Sequence, residues 1–268
     1  MGSVRVALLS FERGETLREA LLSLKGQSRP PEGIRILDNG SGPEVRRRVE
    51  DLLGPGVEFV PSDRNRGVHW NLRRAFAAAD FDYLYVMHDD DRLKATFLEE
   101  QVRYLEENPR LAAVACNAEE IGPGGEPLGT YLHNPARRRE TETYASVPDM
   151  LRLYMRSYMA FPTVVYRAPG PGPEAVREEY GAVLDVVLLC ELARKGPLAY
   201  RNRPLLEYRV HGGQTSSSFR EEDLAALDGY FRDRGREYPE LAGEIGRYLW
   251  RRRLSRKWKR IRRILGVG

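Results

Sequence analysis

"YLYVMHDDDRL", residues 83–93, decides how this chain is read. Five aromatic and aliphatic residues run straight into His88 and then into Asp89, Asp90 and Asp91. An unbroken apolar run, with no polar alternation, suits a strand covered on both faces. Three adjacent carboxylates repel one another, so something must compensate them. A solvated acidic loop is the plainer alternative. The position of the acids directly after a core strand favours a bound cation, because Mg2+ or Mn2+ takes carboxylate oxygens and shares them with substrate phosphates.

The same plan recurs on either side. "VRVALLS" (4–10) is a buried-strand run followed by a helical pattern from Thr16 to Lys25. "GIRILDNGS" (33–41) repeats it, with a helix over 44–53 and a strand at 57–60. Helical spacing covers 67–79 and 94–107, and "LAAVACN" (111–117) is a further strand. This alternation predicts an α/β fold, a mostly parallel Rossmann-like sheet with helices on both faces. Ligands of such sheets bind beyond the carboxyl ends of the strands, where Ser10 to Glu12, Asp38 to Ser41 and Asp89 to Asp91 converge. Past residue 130 the rhythm loosens. Residues 133–144 read as a mobile charged loop, 185–195 as a helix and 198–210 as a strand pair, and two helices follow at 220–234 and 240–265.

Composition narrows the class. With 268 residues, 41% hydrophobic and 31% charged, the chain can bury a sizeable core. No apolar stretch reaches bilayer length, and no leader-like segment opens the sequence, so a cytoplasmic protein is expected. Cys116 and Cys190 sit in apolar runs without metal-type spacing and read as reduced core thiols. Residues 247–268 hold ten Lys and Arg and no acid, so the rest of the chain carries −6 against an overall +4. Basic charge is thus a property of the tail, which argues against a nucleic-acid-binding surface on the fold.

Several residues outside the acidic run could carry chemistry. Asp38 lies in "LDNGS", either as an Asx turn or as an acceptor for a base N–H. Phe11 is a core residue or a ring for a base to stack on. Asp185 stands inside "GAVLDVVLLCEL", where an ionised carboxylate is costly; it caps the following helix or serves as a general base, or both. His211 precedes a Gly-Gly loop, as an ordinary side chain or as a metal or phosphate contact.

Taken in order, six segments resemble the family 2 glycosyltransferases of the GT-A fold: "SFER" (10–13), "LDNGS" (37–41), "NRGVHWN" (65–71), "HDDD" (88–91), Asp185 ahead of "LLCELARKG", and "YRVH" (208–211). The likeness extends over residues 3–216. It implies an inverting transferase that moves a sugar from a nucleotide-diphosphate donor to an acceptor hydroxyl, in polysaccharide, glycolipid or other glycoconjugate synthesis. By that likeness Ser10, Phe11, Glu12 and Asp38 hold the nucleoside, Asn65 or Arg66 lies near the pyrophosphate, and Asp89 meets the ribose. Asp90 is then the principal ligand of Mn2+ or Mg2+, with Asp91 beside it and His211 as a further contact, and Asp185 is the base. Two departures stand out: His88 replaces the first Asp of the acidic motif, and Glu12 replaces a common Asn. The implied division is a transferase domain over 1–216, its nucleotide half at 1–117 and acceptor half at 118–216, with a helical extension over 217–268.

Two rival readings fit the sequence less well. A sugar-nucleotide pyrophosphorylase needs a Gly-rich, basic loop after the first strand, which "SFERGETL" is not. A non-catalytic membrane- or nucleic-acid-associated protein leaves Asp185 and the acidic run unexplained. In the tail, Trp250, Leu254, Trp258, Ile261 and Leu265 fall on one helical face among Arg and Lys. That pattern suits an anionic membrane surface, and so a lipid-linked acceptor. It also suits packing on the domain, or docking of the basic faces on the acidic body of a second copy.

Overall fold

The computed structural model describes residues 2–77, 81–212 and 220–264, with side chains described as far as Leu254 apart from Arg137. Strand β4 (Tyr83–His88) is buried along its length until His88, as the quoted run requires. Tyr83, Tyr85 and Met87 face one core layer, and Leu84 and Val86 face the other. The first layer packs under α1 (Gly14–Lys25), α2 (Pro43–Arg47) and α4 (Phe97–Glu107), through Leu17, Leu21, Val45, Phe97 and Val102. The second packs under α3 (Val68–Phe76), α5 (Val147–Tyr154), α6 (Leu184–Leu192), α7 (Glu221–Glu237) and the start of α8 (Ala242–Ile264).

Among the described residues the sheet has ten strands. Eight run in the order β3-β2-β1-β4-β9-β6-β10-β5, with β7 added beside β6 and β8 beside β10. Strands β1 (Val4–Ser10), β2 (Gly33–Asp38), β3 (Val57–Val60) and β4 pair in parallel, as do β6 (Ala113–Ile121) and β10 (Leu198–Arg209). Between them β9 (Val164–Arg167) is antiparallel to both neighbours, so all six of those strands point one way. Short β5 (Arg92–Leu93), β7 (Pro127–Tyr131) and β8 (Thr141–Tyr144) oppose them. Every carboxylate of the acidic run therefore emerges at the carboxyl edge of the parallel strands.

Several expectations change here. The strand pair over 198–210 is one bent strand, with register shifts on either side of Pro204, which has no N–H to give the ladder. The stretch 133–144 is not a free loop: a single 3-10 turn (Pro135–Arg137) leads into β8, and Arg138 forks onto Glu142 at 3.0 and 3.1 Å while lying 4.1 Å over the Tyr200 ring. The helix at 44–53 breaks after Arg47 into a 3-10 turn. Helix α7 and the start of α8 are part of the second core layer, through Leu227, Phe231, Leu241 and Ile245. Residues 78 and 79 of the helix expected over 67–79, and the expected boundary at 216, lie outside the described residues.

Candidate active site

Four loops meet at the carboxyl edge, tied by hydrogen bonds that cross long stretches of sequence. After β1, Phe11 donates its backbone N–H to Asp89 Oδ2 at 2.9 Å, and Glu12 donates to Ser41 Oγ at 2.8 Å. Glu12 holds φ +57°, a left-handed conformation unusual for its type, and its Oε1 accepts from Gly42 N at 3.1 Å. The Phe11 ring is 40% exposed at this strand end, the position from which it can stack on a base. Ser10 Oγ is buried without a hydrogen-bond partner.

After β2, Asp38 closes an Asx turn, accepting from Gly40 N at 3.1 Å, Ser41 N at 3.0 Å and the Ser41 hydroxyl. Gly40 has φ +83°, and a Cβ there would lie 2.2 Å from the backbone of Arg64, so only glycine lets the 64–67 loop approach. Asn39 locks that contact: its Nδ2 donates to Asn65 Oδ1 at 3.0 Å, and its Oδ1 accepts from Arg66 N at 3.0 Å. The Asn65 amide is thus occupied in holding the loop. The Arg66 guanidinium is held by Asp63 at 2.7 Å and lies 5.0 Å over Trp70.

The acidic edge contains the answer to its own repulsion. Asp89, Asp90 and Asp91 are all buried. Arg13 Nη1 lies 3.1 Å from Asp89 Oδ1 and 2.9 Å from Asp90 Oδ2, and His211 Nε2 meets the same Asp90 oxygen at 3.0 Å. Asp91 Oδ1 accepts from Arg209 N at 3.0 Å, and the Arg209 side chain, 2% exposed, reaches Asp90 O at 2.7 Å. Asp91 Oδ2 is buried with no hydrogen-bond partner. His88, Asp90 and Asp91 each offer a ligand atom within 4.8 Å of the others. His88, stacked on Phe161 at 5.8 Å, was read in the sequence only as a lost Asp. His211, expected at the metal, lies outside that trio and meets one of its members, Asp90.

Burial sets the protonation states. It pushes Asp89 up to about 6 against the Phe11 N–H, and lifts Asp91 well above the carboxylate range, with help from the Asp90 charge. Burial lowers His88, against the pull of the Asp90 charge. Asp90 is buried too, yet His88, His211 and Arg13 together hold it below its ordinary value.

Asp185 occupies the first turn of α6 and does not cap it, since the cap position is Val183. Its Oδ1 accepts from Val186 N at 2.8 Å, and burial raises its pKa to about 6. Its surroundings are the Tyr154 and Tyr166 hydroxyls, whose own pKa values rise by burial first and then by the Asp185 charge. Two contacts fix the segment before it. His69 Nε2 lies 3.1 Å from Gly181 O, and Asp223 Oδ1 accepts from Ala182 N at 3.0 Å. Through His69 the "NRGVHWN" stretch reaches the turn that carries Asp185. Arg13, Asn39, His88 and Arg209 were missed as site residues; the unbalanced acids were the one signal that a nearby arginine was needed.

Known proteins resemble this chain in sequence and in fold. Two uncharacterised glycosyltransferases of Haemophilus influenzae are 23% identical over 82% of this chain and 24% identical over 52% of it; the chain spans 69% and 52% of their lengths. Among solved structures, that of S. aureus TarS 1-349 in complex with UDP-GlcNAc superposes with a TM-score of 0.65 at 14% identity, covering 85% of this chain and 65% of that one. At that identity the likeness is one of fold, and the observed sheet is the GT-A type that the six motifs imply. Residues 6–161 match the family described as glycosyl transferase family 2. That match takes in more than half of the sequence and four of the six motifs, and the chain belongs to glycosyl transferase family 2.

Proposed function

We propose that this protein is an inverting, metal-dependent glycosyltransferase that moves a sugar from a nucleoside-diphosphate donor to an acceptor hydroxyl. The observation that carries it is the trio His88, Asp90 and Asp91 at the carboxyl edge of the sheet, with Asp91 Oδ2 buried and unpartnered. Two carboxylate oxygens and an imidazole are a donor set that fits Mn2+ or Mg2+, and the orphaned oxygen is the kind of atom such an ion satisfies. A cation held there would stabilise the charge that develops on the departing diphosphate.

The chain's own residues supply the rest. The exposed Phe11 ring stacks on the nucleobase, Ser10 and the Asp38 turn border the nucleoside, and Glu12 shapes that loop through Gly42. Asp89, next to Phe11, meets the ribose. Asn65 and Arg66 present their loop to the pyrophosphate, braced by Asn39. His211 orients Asp90. Asp185, with a pKa near 6, is ionised at neutral pH and accepts the acceptor's proton as its oxygen attacks the anomeric carbon. One displacement from the face opposite the leaving group inverts that carbon, parallel to an inverting glycosidase with a sugar hydroxyl in place of water. Residues 1–117 thus serve the donor and 118–216 the acceptor.

The C-terminal helix supports a peripheral site of action. No described helix is long and apolar enough to cross a membrane. Helix α8 docks through Ile245, Tyr248 and Leu249, and Trp250 projects 62% exposed from the opposite side. The expected apolar stripe starts at Trp250, so it begins on the face turned away from the core; the side chains of Trp258, Ile261 and Leu265 lie outside the described residues. With Arg and Lys flanking it, this face suits an anionic membrane and a lipid-linked acceptor.

Hydrolysis of a panel of nucleotide sugars, with Mn2+ and with excess chelator, tests the proposal. Release of one sugar that depends on the metal is expected. Full turnover in chelator rules out the metal-dependent form, and no turnover of any donor with any simple acceptor rules out the transfer.

A further inference from the structure

Arg13 joins two carboxylates with one nitrogen. Its Nη1 bridges Asp89 and Asp90 at 3.1 and 2.9 Å, and Asp90 uses the same oxygen for His211. A guanidinium has no lone pair to offer a metal, so it can only compete with an incoming cation for Asp90. Exposure favours its leaving. The Arg13 side chain is 39% exposed, whereas those of Asp89 and Asp90 are 5% and 10% exposed and set in the sheet edge. Arg13 also sits on the loop that carries the exposed Phe11, at the start of α1.

Charge gives the direction of travel. A divalent ion on Asp90 repels the guanidinium and neutralises the carboxylates that held it. A diphosphate brings a row of anionic oxygens to the same edge, and a planar guanidinium binds phosphate oxygens in pairs. Arg13 lies two residues along the chain from Phe11, the exposed ring proposed to stack on the base. No other described arginine contacts both Asp89 and Asp90 through its side chain.

We propose that Arg13 is a movable counter-cation: it holds Asp89 and Asp90 together in the metal-free protein, and passes to the donor's diphosphate when a divalent cation takes Asp90. This rests on the metal-dependent reading above. It predicts opposite effects on two affinities. With the competitor gone, Arg13→Ala binds Mn2+ alone about tenfold more tightly than the wild-type chain. With the phosphate partner gone, the same variant binds a nucleoside diphosphate in the presence of Mn2+ about tenfold more weakly. A residue that merely supports the fold weakens both.

Free Mn2+ is read by electron paramagnetic resonance for the wild type, Arg13→Ala and Asp90→Asn, alone and with UDP, GDP, ADP and CDP in turn. Arg13→Gln, which keeps a donor for Asp89, carries the same test if the alanine variant does not fold. Tighter Mn2+ with weaker diphosphate supports the exchange. Mn2+ bound by the wild type and lost in Asp90→Asn, but unchanged or weakened in both Arg13 variants, overturns it and leaves the metal site standing. A wild type that takes up no Mn2+ with any diphosphate overturns the metal reading and this inference together.

Discussion

The acidic edge and the Asp185 pocket solve the same problem in opposite ways. Both bury carboxylate, and both have an aspartate pushed up to about 6. At the edge, Arg13, Arg209 and His211 gather round three acids, and one oxygen is still left over. Around Asp185 no described cation makes an ion pair; its carboxylate accepts from the Val186 backbone N–H at the start of a helix. On the proposed reading the first region exchanges charges, its surplus of acid being taken up by a divalent cation. The second, as the proposed base, exchanges a proton, with burial opposed only by backbone N–H groups. That difference separates substitutions whose chemistry looks alike.

The largest effect belongs to the edge. Asp90→Ala removes the oxygen shared by Arg13 and His211, and is expected to abolish both turnover and Mn2+ uptake while circular dichroism shows a folded protein. Retained turnover would break the comparison on its first side. Asp185→Asn, similar in size, should lower turnover by about 10²–10⁴-fold and leave Mn2+ and nucleotide affinity within about twofold. Should affinity collapse along with turnover, the two regions are one site and the distinction fails.

Acid sharpens the contrast further. Asp185 must be ionised to take a proton, so turnover should drop about tenfold for each pH unit below about 6, where burial sets its pKa. The residual rate of Asp185→Asn should lack that limb. A profile that stays level down to pH 5 in the wild type would remove Asp185 from the proton transfer.

The smallest effect is on stability, and its sign is opposite to that on activity. The folded-state pKa of Asp185 is raised above the ordinary 3.8, so the native protein binds this proton more tightly than the unfolded chain. Its favourable contribution is present below about pH 4 and is lost as pH rises through about 6. Asp185→Asn should therefore be more stable than the wild type at pH 7.5, by about 1–3 kcal/mol, and no more stable at pH 4. Urea melts at the two values measure this. A variant that is less stable at pH 7.5 but keeps the specific activity of its folded fraction makes Asp185 a structural residue.

How much of this was legible depends on how local each feature is. Strands β1, β2 and β4 announce themselves because each is buried almost throughout and reads as an apolar run broken at most by one arginine. Strand β9 does not: four residues, Val164–Arg167, become a central strand because β4 and β6 leave a slot for them. Strand β8 was hidden in a charged stretch whose arginine turns out to be paired. At the site, the acids and Asp185 were visible as charges in the wrong company. Their partners were not, since Arg13 reaches residues 76 and 77 positions away and Arg209 reaches Asp91 across 118. No period or propensity encodes such pairs. His88 was discounted because its type broke the family pattern, although its geometry keeps it among the ligand atoms.

The place of β9 in the sheet has a consequence for how the molecule is made. Synthesis delivers β1 to β4 first, and they can pair in parallel as they emerge. The centre of the sheet cannot close until residue 167 has appeared to join β4 to β6, and β10 follows later still. The growing chain thus carries an exposed β4 edge for about 80 residues, a period of several seconds at ribosomal speed. Arg209 and His211, the last described supports of the acidic edge, arrive after every other strand is complete. The acidic edge is therefore completed only near the end of assembly, and a chain stalled before β10 displays the aspartates without the residues that organise them.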